Sequence, residues 1–129
     1  GSMSLLAPPG AIVRVWFPEN ETVLQPGPKF RPALILDVAT KTDGSREALV
    51  AYGTSQRNEQ YGLGEFVLPA RFTNSLKYDT RFCLKKRLWL PLTLEYFGSS
   101  GRQPKPEPFP EVLIGFFSDA AKEIGLITQ

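Results

Sequence analysis

The sequence predicts a mainly β protein, a small and strongly twisted antiparallel barrel that ends in one helix. Twelve prolines and eleven glycines among 129 residues interrupt the chain too often for a helix bundle. Between these breaks lie short runs rich in β-branched and aromatic residues, which are typical of strands. A chain of this length fits one domain that can bury a core without metal or disulfide support.

The strands are predicted from these runs and from the turn residues between them. The first strand alternates, and its all-apolar side, Val13, Val15 and Phe17, should face the core. Asp43 and Gly44 suit a hairpin turn between the second and third strands. The predicted strands are residues 11–17, 31–40, 47–54 and 65–68, with further strand pieces at residues 82–84 and 88–91.

The hairpin predicts a phosphate site. It returns the end of the third strand to the start of the second, so Thr54 and Ser55 should lie near Arg31. Pro32 keeps Arg31 extended at a defined place, and arginine can bind phosphate oxygens in a bidentate fork. The alternative is that Arg31 is an ordinary surface cation and that residues 54–56 form a solvated turn.

The second half of the chain combines cations with aromatic rings. Such a mixture suits single-stranded nucleic acid, whose phosphates meet the charges while its bases stack on the rings. Equally, the aromatics can be core and the cations a solvated face. The segment holds Arg71, Phe72, Lys77, Tyr78, Arg81, Phe82, Lys85, Lys86 and Arg87 against one acid, Asp79.

One amphipathic helix is predicted between Pro110 and Gly125, because apolar residues repeat there at intervals of three and four. The residues of this predicted apolar stripe are Leu113, Phe116, Phe117, Ala120 and Ile124.

Composition excludes several kinds of chemistry. The chain has no histidine, so serine-protease and histidine-type nuclease mechanisms are excluded. Cys83 is the single cysteine and cannot form an internal disulfide, and no zinc pattern is present. With no bilayer-spanning run and no signal peptide, a cytoplasmic protein without a membrane contact is expected. Residues 1–3 are expected to be a cloning remnant ahead of a single domain at 4–129.

Three stretches together resemble the MazF/PemK-like toxin family of type II toxin-antitoxin systems. They are residues 9–13, 29–36 and 53–56, which read Pro-Gly-Ala-Ile-Val, Lys-Phe-Arg-Pro-Ala-Leu-Ile-Leu and Gly-Thr-Ser-Gln. The resemblance covers roughly residues 9–68 and thins afterwards. It implies an SH3-like barrel that forms a homodimer, binds a cognate antitoxin protein and needs no cofactor or metal. The implied activity is endoribonuclease cleavage of single-stranded RNA at short sequences.

The resemblance also implies roles for individual residues. Arg31 matches the catalytic arginine and Thr54 the catalytic threonine, with Ser55 beside it. The RNA 2′-hydroxyl would attack the adjacent phosphorus and leave a 2′,3′-cyclic phosphate, while Arg31 neutralises the developing charge. RNA-binding residues are expected to be Lys29, Gln56, Arg57, Arg81, Lys85 and Lys86.

The competing interpretation is a non-catalytic SH3-like module that binds nucleic acid or a partner protein without cleaving it. Residues 71–89 would then be its working surface. A toxin relative that has lost its activity is a third interpretation, and the sequence does not separate it from the first.

Overall fold

The computed structural model describes residues 5–20, 22–56 and 62–127. Within them the chain forms five strands and two α-helices, with short 3₁₀ turns at Ala70–Phe72 and Glu111–Leu113. The elements are β1 (Ile12–Trp16), β2 (Phe30–Thr40), β3 (Arg46–Thr54), β4 (Glu65–Leu68), β5 (Thr80–Pro91), α1 (Leu94–Phe97) and α2 (Ile114–Glu123).

The strands form one antiparallel sheet in the order β1-β2-β3-β5-β4. The predicted barrel is wrong, because in the described part of the chain no ladder joins the two edge strands, β1 and β4. The free edge of β1 is bridged instead by Glu107, which lies in the proline-rich segment 104–110 between α1 and α2. There Ile12 and Glu107 exchange both backbone hydrogen bonds, at 2.7 and 2.9 Å, so this position on the edge is already occupied.

The two strand pieces predicted at 82–84 and 88–91 belong to one long strand, β5. Its register with β3 shifts sharply, since Ala51 pairs with Arg87 whereas Tyr52 pairs with Cys83. Residues 84–86 therefore form a bulge, and the Leu84 N–H donates to the carbonyl of Gly64 at 2.8 Å. The bulge buries Leu84 and places two lysines on the surface.

Both faces of the sheet are buried. Neighbouring residues in the same strand, such as Leu34 and Ile35 or Val50 and Ala51, belong to opposite hydrophobic clusters. This explains the unbroken apolar run in β2. The predicted inward side of β1 is confirmed, and α1 covers that face while α2 covers the other. Cluster one contains Val13, Val15, Phe17, Ile35, Val50, Tyr96 and Phe97; cluster two contains Ile12, Leu34, Ala51, Phe82, Leu84, Phe109, Ala120 and Ala121.

The predicted C-terminal helix is confirmed as α2, and Phe117, Ala120 and Ile124 pack into the second cluster. The prediction is wrong for Phe116, whose side chain is 49% exposed. Helix α1 was not predicted, because four residues are too few to show helical periodicity. None of the helices in the described ranges is long and apolar enough to cross a membrane.

Gly53 allows a close approach of β3 to β2 and to Phe82, and this contact gives a stability prediction. A Cβ atom at Gly53 would lie 2.6 Å from the carbonyl oxygen of Pro32 and 2.8 Å from the ring of Phe82. Gly53→Ala should therefore destabilise the fold by about 1–3 kcal/mol, as overpacking does. Gly115→Ala is the control: no atom lies within 4 Å, and alanine should stabilise α2 by up to about 1 kcal/mol.

Urea denaturation of the two variants measures both effects. Equal midpoints for Gly53→Ala and the wild type would contradict the close approach of β2 and β3 at this end of the sheet.

Candidate functional site

The register of β2 and β3 brings Arg31 and Thr54 to the same end of the sheet. The β2–β3 ladder ends at the pair Ala33 and Tyr52, and Arg31 and Thr54 each lie two residues beyond that pair. The strands stay close here, as the contact of Gly53 with Pro32 shows. Residues directly opposite in an antiparallel pair share a face of the sheet.

The Thr54 side chain is nearly buried, at 5% exposure. Its Oγ1 accepts the backbone N–H of Gln56 at 3.1 Å, which fixes the turn after β3. A hydroxyl has one hydrogen to donate besides its acceptor positions. The contact with Gln56 does not use that hydrogen.

Aromatic rings position the Arg31 guanidinium. Its Cζ lies 5.3 Å from the centroid of the Tyr52 ring, which meets Phe17 edge to face at 5.3 Å. Lys86 lies in the bulge of β5, and its Nζ is 4.0 Å from the centroid of the same Tyr52 ring. The rings attract both cations without neutralising them, because a ring quadrupole carries no net charge.

A cavity of about 460 Å³ opens beside Arg31. Its lining includes hydroxyl groups from Ser55 and Ser75, and no carboxylate borders it among the residues that the structure describes. Its volume is within the usual range of small-molecule sites. The cations that line it are Arg14, Lys29, Arg31 and Lys77.

Arg14 is held in this cavity by backbone carbonyls. Its Nη1 donates to the carbonyl of Phe30 at 3.2 Å, and its Nη2 lies 3.4 Å from that of Ser75. The carboxylate of Glu107 accepts the N–H groups of Asn74 at 2.6 Å and Ser75 at 3.0 Å. These bonds fix the backbone at Ser75, which lines the cavity. Carbonyls orient a guanidinium but leave its full charge in place, so Arg14 adds to the positive potential of the cavity.

Arg81 lies on the other side of Thr54, its partner in the β3–β5 ladder. Its Nη1 is 3.2 Å from Oε1 of Glu65 in an ion pair that is mostly shielded from solvent. Burial opposes ionisation of the Glu65 carboxyl. Hydrogen bonds from the Gly62 N–H, the Cys83 thiol and Arg81 outweigh burial and lower the pKa of Glu65.

Cys83 is half-buried beside this ion pair. Burial, together with the contact with Glu65, raises the pKa of the Cys83 thiol above its ordinary value of 9.0. Because the thiolate is the nucleophilic form, Cys83 is poorly suited to nucleophilic catalysis near neutral pH.

The predicted site residues thus fall into separate groups. Lys29, Arg31 and Ser55 line the cavity, whereas Thr54 does not line it and lies at the same end of the sheet as Arg31. The remaining predicted residues do not line it: Gln56 follows in the turn, Arg81 pairs with Glu65, Lys85 is exposed on the bulge and Lys86 lies over Tyr52. Arg57 lies outside the described residues.

The sequence interpretation missed Arg14 as a member of the site. The signal was present, since Arg14 is the one charged residue in β1. In the described ranges no three His, Cys, Asp or Glu side chains are grouped so that they could hold a metal ion.

No protein-family model matches the sequence, and no curated protein matches it significantly. The geometry of the residues is therefore the basis for assigning a function.

The Glu65–Arg81 pair predicts how stability depends on pH. A carboxyl whose pKa is lowered by folding stabilises the native state above its unfolded pKa, and this stabilisation is lost as the pH falls through the folded pKa. Glu65→Gln should therefore be less stable than the wild type at neutral pH. The difference should shrink below the ordinary pKa of 4.5.

Urea unfolding at pH values from 7 down to 3 measures this difference. Glu111→Gln, which changes an exposed carboxylate outside the sheet, serves as the control. A gap between wild type and Glu65→Gln that stays constant with pH would contradict the lowered pKa.

Proposed function

We propose that this protein is a metal-independent endoribonuclease that cleaves single-stranded RNA, acting as the toxin of a type II toxin-antitoxin system. The observation that carries the proposal is a cavity beside Arg31 that has four cations and, within the described residues, no carboxylate, with Thr54 next to Ser55, which lines it. The resemblance of residues 9–68 to MazF/PemK-like toxins supports the same assignment.

In the proposed reaction, Lys29 and Arg14 hold the RNA backbone by charge and Arg31 contacts the scissile phosphate. The 2′-oxygen attacks phosphorus and loses its proton to water. The bond from phosphorus to the 5′-oxygen breaks, and the 5′-oxygen takes up a proton, leaving a 2′,3′-cyclic phosphate and a 5′-hydroxyl.

The proposed residues stabilise the transition state electrostatically. Negative charge grows on the non-bridging oxygens of the pentacoordinate phosphorus, where the Arg31 guanidinium and the Thr54 hydroxyl can donate hydrogen bonds. Arginine is a poor base in water, so we assign charge stabilisation to Arg31 rather than proton abstraction.

The other properties expected from the sequence and from the resemblance belong to the same proposal. They are a cytoplasmic location, an SH3-like arrangement of the sheet, a homodimer, and an antitoxin that occupies the RNA site. A cavity that has four cations and, in the described ranges, no carboxylate supports an acidic antitoxin segment as the natural competitor of RNA, because both carry negative charge.

A non-catalytic nucleic-acid-binding module is the second candidate. It is favoured by exposed aromatics in the basic segment, of which Tyr78, at 69%, is the most exposed. Exposed rings next to cations bind single strands without any requirement for chemistry.

Cleavage of a long single-stranded RNA in EDTA distinguishes the two candidates. The wild type should cut at a short recurring sequence and leave cyclic phosphates. Arg31→Ala and Thr54→Ala should each reduce the rate by about 10²–10³-fold, the usual loss for one preorganised donor. Arg102→Ala, which removes an exposed cation outside the cavity, should cut at the wild-type rate.

If the protein binds RNA but does not cleave it, with and without magnesium, the ribonuclease proposal is wrong and the binding module is favoured. Equal rates for Arg31→Ala and Arg102→Ala would show that Arg31 is not catalytic.

The salt dependence of binding tests the cavity itself. Each phosphate contact releases condensed counterions, so removing one lowers the slope of log K against log salt by about 0.7 for a single strand. Lys29→Ala should show this reduction with a 2′-O-methyl RNA, which lacks the attacking hydroxyl. Lys105→Ala, an exposed cation outside the cavity, should keep the wild-type slope, and equal slopes for both variants would contradict a phosphate in the cavity.

A further inference from the structure

A second cavity adjoins the one beside Arg31, which we call the phosphate cavity. It has a volume of about 490 Å³, and its lining residues are Ser55, Lys77, Tyr78 and Asp79. The first three also line the phosphate cavity. The two spaces therefore share a wall, and Tyr78 is the aromatic residue that borders both.

The Tyr78 ring stands in solvent although the backbone around it is fixed. The Tyr78 carbonyl accepts the hydroxyl of Thr80 at 2.9 Å, and Oδ1 of Asp79 accepts the N–H of Ala70 at 2.9 Å. The side chain is nevertheless 69% exposed, the largest exposure of any aromatic among the exposed apolar side chains of the described residues. An exposed ring on a fixed backbone contributes little to the core and can stack on a ligand at a small loss of entropy.

The two cavities differ in charge, and this difference favours the phosphate of a nucleotide in one cavity and its base in the other. The phosphate cavity has four cations and no carboxylate in the described part of the chain. The second cavity has the carboxylate of Asp79 beside Lys77. A phosphate is favoured in the first by the four cations, whereas a base carries no net charge and offers a flat face to a ring.

We propose that Tyr78 is a base-stacking residue, and that the second cavity binds the nucleobase next to the phosphate held beside Arg31. This inference rests on the proposed function, because it takes single-stranded RNA as the ligand of the phosphate cavity. Tyr78 then fixes which phosphate of the strand reaches Arg31, and it contributes to sequence preference through the strength of base stacking.

Phe72 provides a matched control within the same loop. Its ring is also partly exposed, at 40%, but it lines neither cavity. The guanidinium of Arg71 covers it at 5.1 Å from the ring centroid. The third aromatic of the segment, Phe82, is fully buried in the second core cluster and is unsuitable as a control.

Two fluorescein-labelled probes of equal length separate base contacts from phosphate contacts. One is a mixed-sequence 2′-O-methyl RNA, and the other is an abasic sugar-phosphate oligomer. Fluorescence anisotropy gives the Kd of each probe for wild type, Tyr78→Ala, Tyr78→Phe and Phe72→Ala. The range of measured base–aromatic stacking effects predicts that Tyr78→Ala weakens binding of the 2′-O-methyl RNA by about 5- to 100-fold.

The same substitution should leave the Kd of the abasic oligomer and the salt slope unchanged, because no charge is removed. Tyr78→Phe should bind like the wild type, since stacking needs the ring and not the hydroxyl. In the cleavage assay, Tyr78→Ala should cut at a broader set of sites than the wild type.

Three results would overturn the inference. They are equal Kd values for Tyr78→Ala and wild type on the 2′-O-methyl RNA, an equal loss on both probes, or an equal loss in Phe72→Ala. If wild type cleaves RNA and one of these results is found, the stacking site fails while the ribonuclease stands. If wild type binds neither probe and cuts no RNA, both proposals fail together.

Discussion

The antiparallel register of β2 and β3 is the constraint on which the candidate site depends. It brings Arg31 and Thr54 to the same end of the sheet, where Gly53 lets the carbonyl of Pro32 approach to a distance that any side chain would block. A slip of one residue would move Thr54 to the opposite face of the sheet. The two core clusters oppose such a slip. It would move Val50 out of the first cluster and Ala51 out of the second, each to the opposite face of the sheet.

Contacts between distant segments, including a bulge, place the remaining residues of the site. The bulge in β5 delivers Lys86 to the ring that also contacts Arg31, and Glu107 fixes the 74–75 backbone that forms a wall of the phosphate cavity. Arg14 reaches the cavity because it is the charged residue on an alternating strand whose other face is buried. None of these groups is a neighbour of Arg31 in the sequence.

This division explains what the sequence could predict. The strands, the hairpin turn at Gly44 with its φ of 88° and helix α2 follow from local periodicity and turn chemistry, and the approach of Thr54 to Arg31 follows from the hairpin. The open sheet, the bulge and the contact of Glu107 with the loop depend on contacts between distant segments, which leave no local pattern. Residues 84–86 contain no glycine or proline that would indicate a bulge.

The absence of histidine has a physical consequence for how such a site can be regulated. Lysine and arginine side chains as a class stay charged around neutral pH, and burial keeps the Cys83 thiol protonated there. The positive potential of the phosphate cavity is screened by salt over about 10 Å. Under the proposed function, a negatively charged protein segment that fills the cavity would compete with the RNA backbone for the same fixed charges.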